Sequence, residues 1–286
     1  MKNSLFSVMA IGALLLLNVS CKNIEHIKHD PPITPSQWCN SQPCVHIGNI
    51  TVCQPSSSAI VYILAISSII LGLRFIRNNN NQKSRTWWGI SLMIGGLGAL
   101  LAGTSYQAFG YELKCAGKEY CSWTNWWELW YEILTIASAG TLLVAVAKAC
   151  FVKTWQKYST AFALINTLAY ICTIAIGVYF QNQFLLSFDL MVCFITPIYI
   201  TIMVVNVTDY FRTKKTMLKH LIMSWIILFS TLVMYYLYMT INATEALWIN
   251  GLWFSENDVL HIGMIVWLIY IDKSLGKSLK DLKFEM

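Results

Sequence analysis

Seven long apolar segments constrain this chain more than any other feature. Each is close to the roughly 20 residues that an α-helix needs to cross a bilayer. We place them at 58–76, 87–106, 126–147, 158–180, 184–206, 217–240 and 257–272. Only 12% of the 286 residues are charged, whereas soluble domains carry roughly 25%. The sequence therefore predicts an all-α integral membrane protein, a bundle of seven transmembrane helices.

Basic residues are distributed unevenly between the two predicted faces of the membrane. The connections after the first, third and fifth segments are rich in lysine and arginine, as is the tail, whereas the other three hold two lysines in all. Positively charged loops stay in the cytoplasm. We therefore expect the N-terminus outside and the C-terminus in the cytoplasm. The net charge of +6 is spread over short loops, so it does not indicate a nucleic-acid partner.

The N-terminus resembles a secretory signal peptide. Lys2 precedes an apolar run that ends in small residues at Val19-Ser20, the usual pattern before a cleavage site. Cys21 follows directly, as in bacterial lipoproteins, which predicts lipidation of Cys21 in a multi-pass protein of the bacterial inner membrane. Ordinary cleavage nearby and an uncleaved anchor helix are the alternatives.

These signals divide the chain into four predicted parts. They are a signal peptide at 1–20, an exported cysteine-containing arm with little regular structure at 21–57, a seven-helix membrane domain at 58–273 and a cytoplasmic tail at 274–286.

Five cysteines fall on the predicted outer side, where disulfides persist. They are Cys39, Cys44, Cys53, Cys115 and Cys121. The simplest local pair is Cys115–Cys121, which would close the second outer loop, although the full connectivity cannot be read from sequence. The number becomes six if Cys21 is not lipidated, so the two predictions bear on each other.

Polar side chains converge on the predicted outer ends of four helices. They are Ser105 and Gln107 on helix two, Glu132 on helix three, Asp189 on helix five, and Asp258 and His261 on helix seven. Ionisable groups inside a membrane are costly and indicate a functional site by default. The alternative is a structural network, in which a charged His261 pairs with Glu132 or Asp189 and no chemistry follows.

The same residue types are able to bind zinc, which typically takes three protein ligands and keeps one open position. Glu132, Asp189 and His261 would supply three ligands. A carboxylate from Glu132, Asp189 or Asp258 would then act as general base on a metal-bound water of lowered pKa. The pattern therefore predicts no definite cofactor: zinc is the candidate that these residue types could bind, but one histidine is few for a hydrolytic zinc site.

Two short motifs resemble a known superfamily. They are Gly103-Thr104-Ser105-Tyr106-Gln107 at the end of helix two and Asn257-Asp258-x-x-His261 at the start of helix seven. Both are similar to the CREST superfamily of alkaline ceramidases, progestin/adipoQ receptors and lipid remodelling proteins of GPI anchors, and most similar to its bacterial members. The resemblance covers roughly 58–273. It implies a seven-helix, zinc-dependent amide hydrolase.

The resemblance also implies roles for individual residues. Ser105 matches the family's helix-two serine, Glu132 stands for its helix-three acid, and His261 matches the first histidine of a His-x-x-x-His pair. Gln107 and Ile265 replace the other two histidines. We therefore expect a non-catalytic relative that binds a membrane lipid or a small apolar ligand. The alternatives are a metal-dependent lipid amide or ester hydrolase and an envelope structural or assembly lipoprotein.

Overall fold

The computed structural model describes residues 24–282. Seven helices in this part are long and apolar enough to cross a membrane. This confirms the prediction of an all-α bundle with seven candidate spans. The predicted signal peptide at 1–20 and the predicted lipidation site, Cys21, lie outside the described residues.

Helices make up most of the described chain, with one short hairpin between the first and the second α-helix. The elements are α1 (Pro35–Asn40), β1 (Cys44–Ile47), β2 (Ile50–Cys53), α2 (Pro55–Arg77), α3 (Lys83–Ala102), α4 (Gly110–Lys114), α5 (Trp126–Cys150), α6 (Lys153–Phe180), α7 (Phe188–Thr213), α8 (Thr216–Thr240), α9 (Ala243–Ile249), α10 (Glu256–Tyr270) and α11 (Gly276–Ser278). The seven candidate spans are α2, α3, α5, α6, α7, α8 and α10. A π-helix, Gly103–Ala108, extends α3, and a second, Ile271–Leu275, joins α10 to α11.

Local sequence signals start several of these helices. Pro55 occupies the first position of α2, where the missing N–H costs nothing because that group has no partner within a helix. The side chain of Asn125 accepts hydrogen bonds from the backbone N–H groups of Trp127 (2.9 Å) and Glu128 (3.1 Å), which caps α5. Ser187 caps α7 in the same way. Such caps satisfy N–H groups that the helix itself leaves unpaired.

Helix α5 is the central helix of the bundle. It packs along α3, α6 and α7, and every residue from Leu142 to Ala147 is buried. Helix α10 packs against both α2 and α8, while α7 contacts α8 and α2 contacts α3. Six helices therefore close a ring in the order α2, α3, α5, α7, α8, α10, and α6 packs mainly on α5.

Small residues bring α2 and α3 into close contact. A Cβ atom added at Gly72 would lie 2.6 Å from the carbonyl oxygen of Gly89, and the reverse distance is the same. Nearby, the Ser68 hydroxyl donates to the Leu92 carbonyl at 2.7 Å. Membrane helices approach this closely where glycine and serine line the crossing, because packing and interhelical hydrogen bonds drive their association.

One end of the bundle is covered by two segments, 24–54 and 109–125, which together we name the cap. They are joined by backbone hydrogen bonds, from Cys121 N–H to the Ile33 carbonyl (2.8 Å) and from Trp123 N–H to the Ile27 carbonyl (2.7 Å). Ile27 is buried in the hydrophobic core. The cap is therefore continuous with the bundle, and we name this end of the molecule the cap end.

The N-terminal arm differs from the sequence prediction, which expected little regular structure there. It contains α1 and an antiparallel hairpin of β1 and β2. A two-residue turn begins at Gly48, whose φ of +62° suits glycine, and such turns set hairpin register. A disulfide between Cys44 and Cys53, which are partners in that register, closes the hairpin.

The opposite end, which we name the basic end, carries the lysine- and arginine-rich connections and the C-terminal tail. The tail folds back under the helices. Asp281 accepts hydrogen bonds from the backbone N–H groups of Lys83 and Ser84, both at 2.7 Å. Leu282 N–H donates to the Lys148 carbonyl at 3.1 Å. These contacts cap the start of α3 and tie the tail to the end of α5.

Candidate functional site

The cap end holds a buried ion pair that the sequence did not predict. Lys114 Nζ, at the end of α4, lies 2.5 Å from Glu128 Oε1 in the first turn of α5. Lys114 is only 4% exposed and Glu128 only 1%. Thr124 donates to the second carboxylate oxygen of Glu128 at 2.9 Å, and Lys114 also donates to the Trp123 carbonyl at 3.2 Å. Buried charges are tolerated when they are paired and hydrogen-bonded in this way.

Glu132 lies one turn deeper on α5. Its carboxylate accepts a hydrogen bond of 2.8 Å from the hydroxyl of Tyr170 on α6, and both side chains are fully buried. Glu132 therefore joins α5 to α6. Its hydrogen-bond partner is the phenol of Tyr170 rather than the predicted Asp189 or His261.

Asp258 and His261 lie at the start of α10, as the sequence predicted. Asp258 is fully buried and accepts a 2.6 Å hydrogen bond from the backbone N–H of Ser255 through Oδ2. Ser255 in turn bonds Ser57 of α2 at 2.9 Å. Within residues 24–282, neither Asp258 Oδ1 nor His261 Nδ1 has a hydrogen-bond partner, although both atoms are buried. Asp258 thus caps α10, and each residue keeps one unpaired polar atom.

Ser105 and Gln107 lie in the π-helix that extends α3. Ser105 is fully buried, and its hydroxyl donates to the Leu101 carbonyl at 2.9 Å. Gln107 is 4% exposed, and its Oε1 has no hydrogen-bond partner within the described chain. Single π-turns inside helices frequently occur at functional sites. Here the π-turn directs both predicted pocket residues into the protein interior.

Asp189 does not join this group, contrary to the prediction. Residues 184–186 form a 3-10 turn and Ser187 caps the helix, so α7 begins at Phe188. Asp189 therefore lies in the first turn rather than deeper in the helix, and its side chain is exposed. A carboxylate is favourable there because it interacts with the positive end of the helix dipole.

The predicted metal ligands are not gathered into one set. Among the described residues, the three side chains of metal-binding type whose ligand atoms lie within 4.8 Å of one another are Cys39, Cys44 and Cys53. The geometry of Glu132, Asp189 and His261 does not provide the tetrahedral arrangement that zinc requires. The three cysteines are a poor alternative because a Cys44–Cys53 disulfide offers no thiolates.

The cap also contains the local disulfide, which joins Cys115 to Cys121 next to the buried lysine. The Cys39 thiol stays free. Burial, with a smaller effect from the Glu112 carboxylate, raises the pKa of Cys39. This thiol is therefore a weak nucleophile, since the thiolate is the reactive form.

His29 lies in the cap and is close enough to Lys114 for the charge of that side chain to affect its pKa. Burial first, and then the positive charge of Lys114, lower the pKa of His29 below its ordinary value of 6.5, while a backbone hydrogen bond with Ser122 opposes the shift. Its ring packs edge-on against Trp38, with centroids 6.1 Å apart. The environment of His29 therefore disfavours its protonated form.

A cavity of about 750 Å³ opens at the cap end, between the arm and the α8–α9 region. Its walls combine aromatic, apolar and acidic groups. They include Tyr238, Met239, Trp248, Ile249, Trp253, Glu245 and Glu256, together with residues 40–43 of the arm. Neither lysine nor arginine is among its described lining residues. The cavity is therefore suited to an amphipathic ligand with a cationic or hydrogen-bond-donating head.

The two carboxylates of the cavity, Glu245 and Glu256, differ in their hydrogen bonding. Glu256 hydrogen-bonds the Thr244 hydroxyl through its side chain, and its backbone N–H donates to the same oxygen at 3.0 Å. Glu245 is exposed in the first turn of α9. Glu256 is thus fixed as part of the wall, whereas Glu245 is available to a ligand.

Sequence reasoning missed Lys114, Tyr170 and the cavity acids. One signal was present for Lys114, which is one of only two basic residues in the cap-end connections between the spans. The connection 241–256 carries two acids and two tryptophans and no basic residue. Tryptophans are common in aromatic belts at a membrane interface, so Trp248 and Trp253 did not by themselves indicate a cavity.

These observations define a class of protein: a polytopic membrane protein built as a helical bundle. The chain belongs to DUF6962, a family of unknown function whose model matches residues 58–279. The match covers all seven spans except the first residues of α2, and it leaves out the arm before residue 58. No curated protein and no solved structure matches the chain.

Proposed function

We propose that this protein is a non-catalytic, ligand-binding membrane protein whose cap-end cavity takes an amphiphile with an ammonium head group. The observation that carries the proposal is the lining of that cavity. Glu245 supplies an unshared negative charge, and Trp248 and Trp253 supply aromatic faces. Aromatic rings and carboxylates together recognise ammonium groups, because both attract a cation.

The apolar part of the ligand would contact Met239 and Ile249, which also line the cavity. Helix α8 contributes Tyr238 and Met239 at its end, so the cavity opens where a span reaches the membrane surface. A membrane lipid or a long-chain amine fits this position better than a fully water-soluble ligand. The resemblance of the helix-two and helix-seven motifs to the CREST superfamily, whose members act on or sense lipids, supports the same ligand class.

The proposal includes an orientation in the membrane. We infer that the cap end faces outward and the basic end faces the cytoplasm of a bacterial inner membrane, because positively charged connections stay inside. The two disulfides of the cap agree with an oxidising exterior. Reporter fusions at Gly117 and Ser278 test the orientation: the first should be exported and the second cytoplasmic, and the reverse would contradict it.

The binding experiment uses dodecyltrimethylammonium as the probe and dodecanoate as the matched anion of the same chain length. Full-length protein in neutral detergent micelles is titrated with each, and native mass spectrometry counts the bound molecules. We expect saturable binding of the ammonium probe only. Glu245→Gln should weaken it about tenfold, the equivalent of about 1.4 kcal/mol.

The matched control is Glu119→Gln, which removes an exposed acid of the cap that does not line the cavity. It should leave the affinity unchanged. Equal binding of dodecanoate would show that the probes bind through the alkyl chain alone, and an equal loss in both variants would show attraction to general negative charge. Either result would reject the proposed site.

A further inference from the structure

A second cavity lies at the basic end, at the opposite side of the molecule from the first. It has a volume of about 590 Å³ and is formed where the end of α2, the start of α3 and the α10–α11 junction meet. Its charged lining residues are Arg74, Arg85, Lys277 and Asp272. The cavity therefore carries three positive charges and one negative charge.

The single acid does not neutralise these cations. Arg74 Nη1 and Asp272 Oδ2 are 3.9 Å apart, and the Arg74 side chain is 65% exposed, so this pair is weak. Lys277 is exposed. An excess of positive charge remains in the cavity and is available to an anion.

Arg85 is the lining cation that carries a buried donor without an acceptor among the described residues. Its guanidinium lies over the ring of Phe75, with Cζ 5.6 Å from the ring centroid. Its Nε is buried and has no hydrogen-bond partner within residues 24–282. A buried donor without an acceptor is costly, and the planar guanidinium fork matches the oxygens of a phosphate.

The geometry points to a binding site for the phosphate group of an anionic membrane lipid, held by Arg85, Arg74 and Lys277. The position favours a lipid over a free ion. Phe75 is buried in the last turn of α2, so the cavity lies at the end of a candidate membrane span, the level at which lipid head groups are expected. Basic pockets between helices at this level recognise acidic lipids.

The test uses full-length protein in neutral detergent micelles, titrated with dioctanoyl phosphatidylglycerol and followed by native mass spectrometry. We expect saturable binding that dioctanoyl phosphatidylcholine does not reproduce, because its choline neutralises the phosphate. Arg85→Gln should weaken binding about tenfold or more, as expected for loss of a hydrogen bond to a charged group. Lys277→Gln, at an exposed position, should weaken it by a smaller factor and keeps the proposal testable if Arg85→Gln does not fold.

Arg77→Gln is the matched control, because Arg77 is an exposed arginine of the same last turn of α2 that does not line the cavity. It should bind phosphatidylglycerol as tightly as the wild type. Equal weakening by Arg77→Gln and the cavity variants would mean diffuse surface attraction and would overturn the site. Competition by inorganic phosphate at the same concentration as the lipid would overturn the lipid assignment in favour of a free anion.

Discussion

The two ends of the bundle handle charge in opposite ways. At the cap end, Lys114 and Glu128 are buried together as an ion pair with further hydrogen bonds to Trp123 and Thr124, and two disulfides hold the surrounding chain. At the basic end, most cations are exposed, and the principal charged contact is Asp281 on the backbone of α3. The cap end therefore uses charge inside its structure, whereas the basic end carries most of its cations on the exposed surface.

This difference also separates the two cavities. The cap-end cavity is lined by acids and aromatic rings, and the basic-end cavity by arginine and lysine. A positively charged ligand group would thus bind at the cap end, and a negatively charged one at the basic end. Mutation of a buried charged contact should lower the free energy of unfolding strongly, and mutation of an exposed one should lower it only weakly. The predictions below use that contrast.

The largest effect is expected from Lys114→Met. It leaves the Glu128 carboxylate buried without its cation, and breaking a buried pair costs about 3–5 kcal/mol. The free energy of unfolding, measured by denaturant titration in detergent micelles with tryptophan fluorescence, should fall by that amount. The double variant Lys114→Met with Glu128→Leu should recover much of the loss, because it removes both charges.

Lys118→Met is the control for this variant. Lys118 lies in the same loop, and its ammonium donates to the Ser122 hydroxyl at 2.9 Å, so its loss should cost less than about 1 kcal/mol. Similar losses in the two lysine variants would show that the buried pair has no special place in the cap.

An intermediate effect is expected at the basic end from Asp281→Ala. The change removes two hydrogen bonds to the first N–H groups of α3, and loss of a helix cap costs about 1 kcal/mol. The same denaturant titration measures it. Asp272→Ala removes an acid whose ion pair is long and exposed and should change the free energy of unfolding less. An Asp281→Ala loss as large as that of Lys114→Met would contradict the contrast between the ends.

The seven candidate spans could be predicted from the sequence because a membrane helix requires only a sufficiently long apolar segment. Each of the seven segments is long enough. The convergence of polar side chains at the outer helix ends was harder to predict, because the depth of each side chain depends on where its helix begins. Asp189 was placed too deep since the 3-10 turn at 184–186 delays the start of α7. The cap-end cavity could not be predicted because it forms only where arm residues 40–43 meet the α8–α9 region, far away in the chain.

The smallest expected effect is a change in how stability depends on pH, and it comes from His29. The pKa of His29 is lowered in the folded protein by burial and by the charge of Lys114. The unfolded chain therefore binds a proton more readily near pH 6.5, the ordinary value. Stability from this group is complete above that pH and is lost as the pH falls below it.

Thermal unfolding of the cap, followed from about pH 8 to about pH 5, tests this sign. The midpoint of the wild type should fall on acidification, and His29→Asn should reduce the fall. His46→Asn is the control: His46 lies on the exposed hairpin, bonded to the Thr51 hydroxyl at 3.0 Å, so that variant should keep the wild-type slope. An unchanged slope in His29→Asn would mean that burial and the charge of Lys114 together do not lower the pKa of His29 enough to affect stability, and the pH dependence would then have to come from other groups.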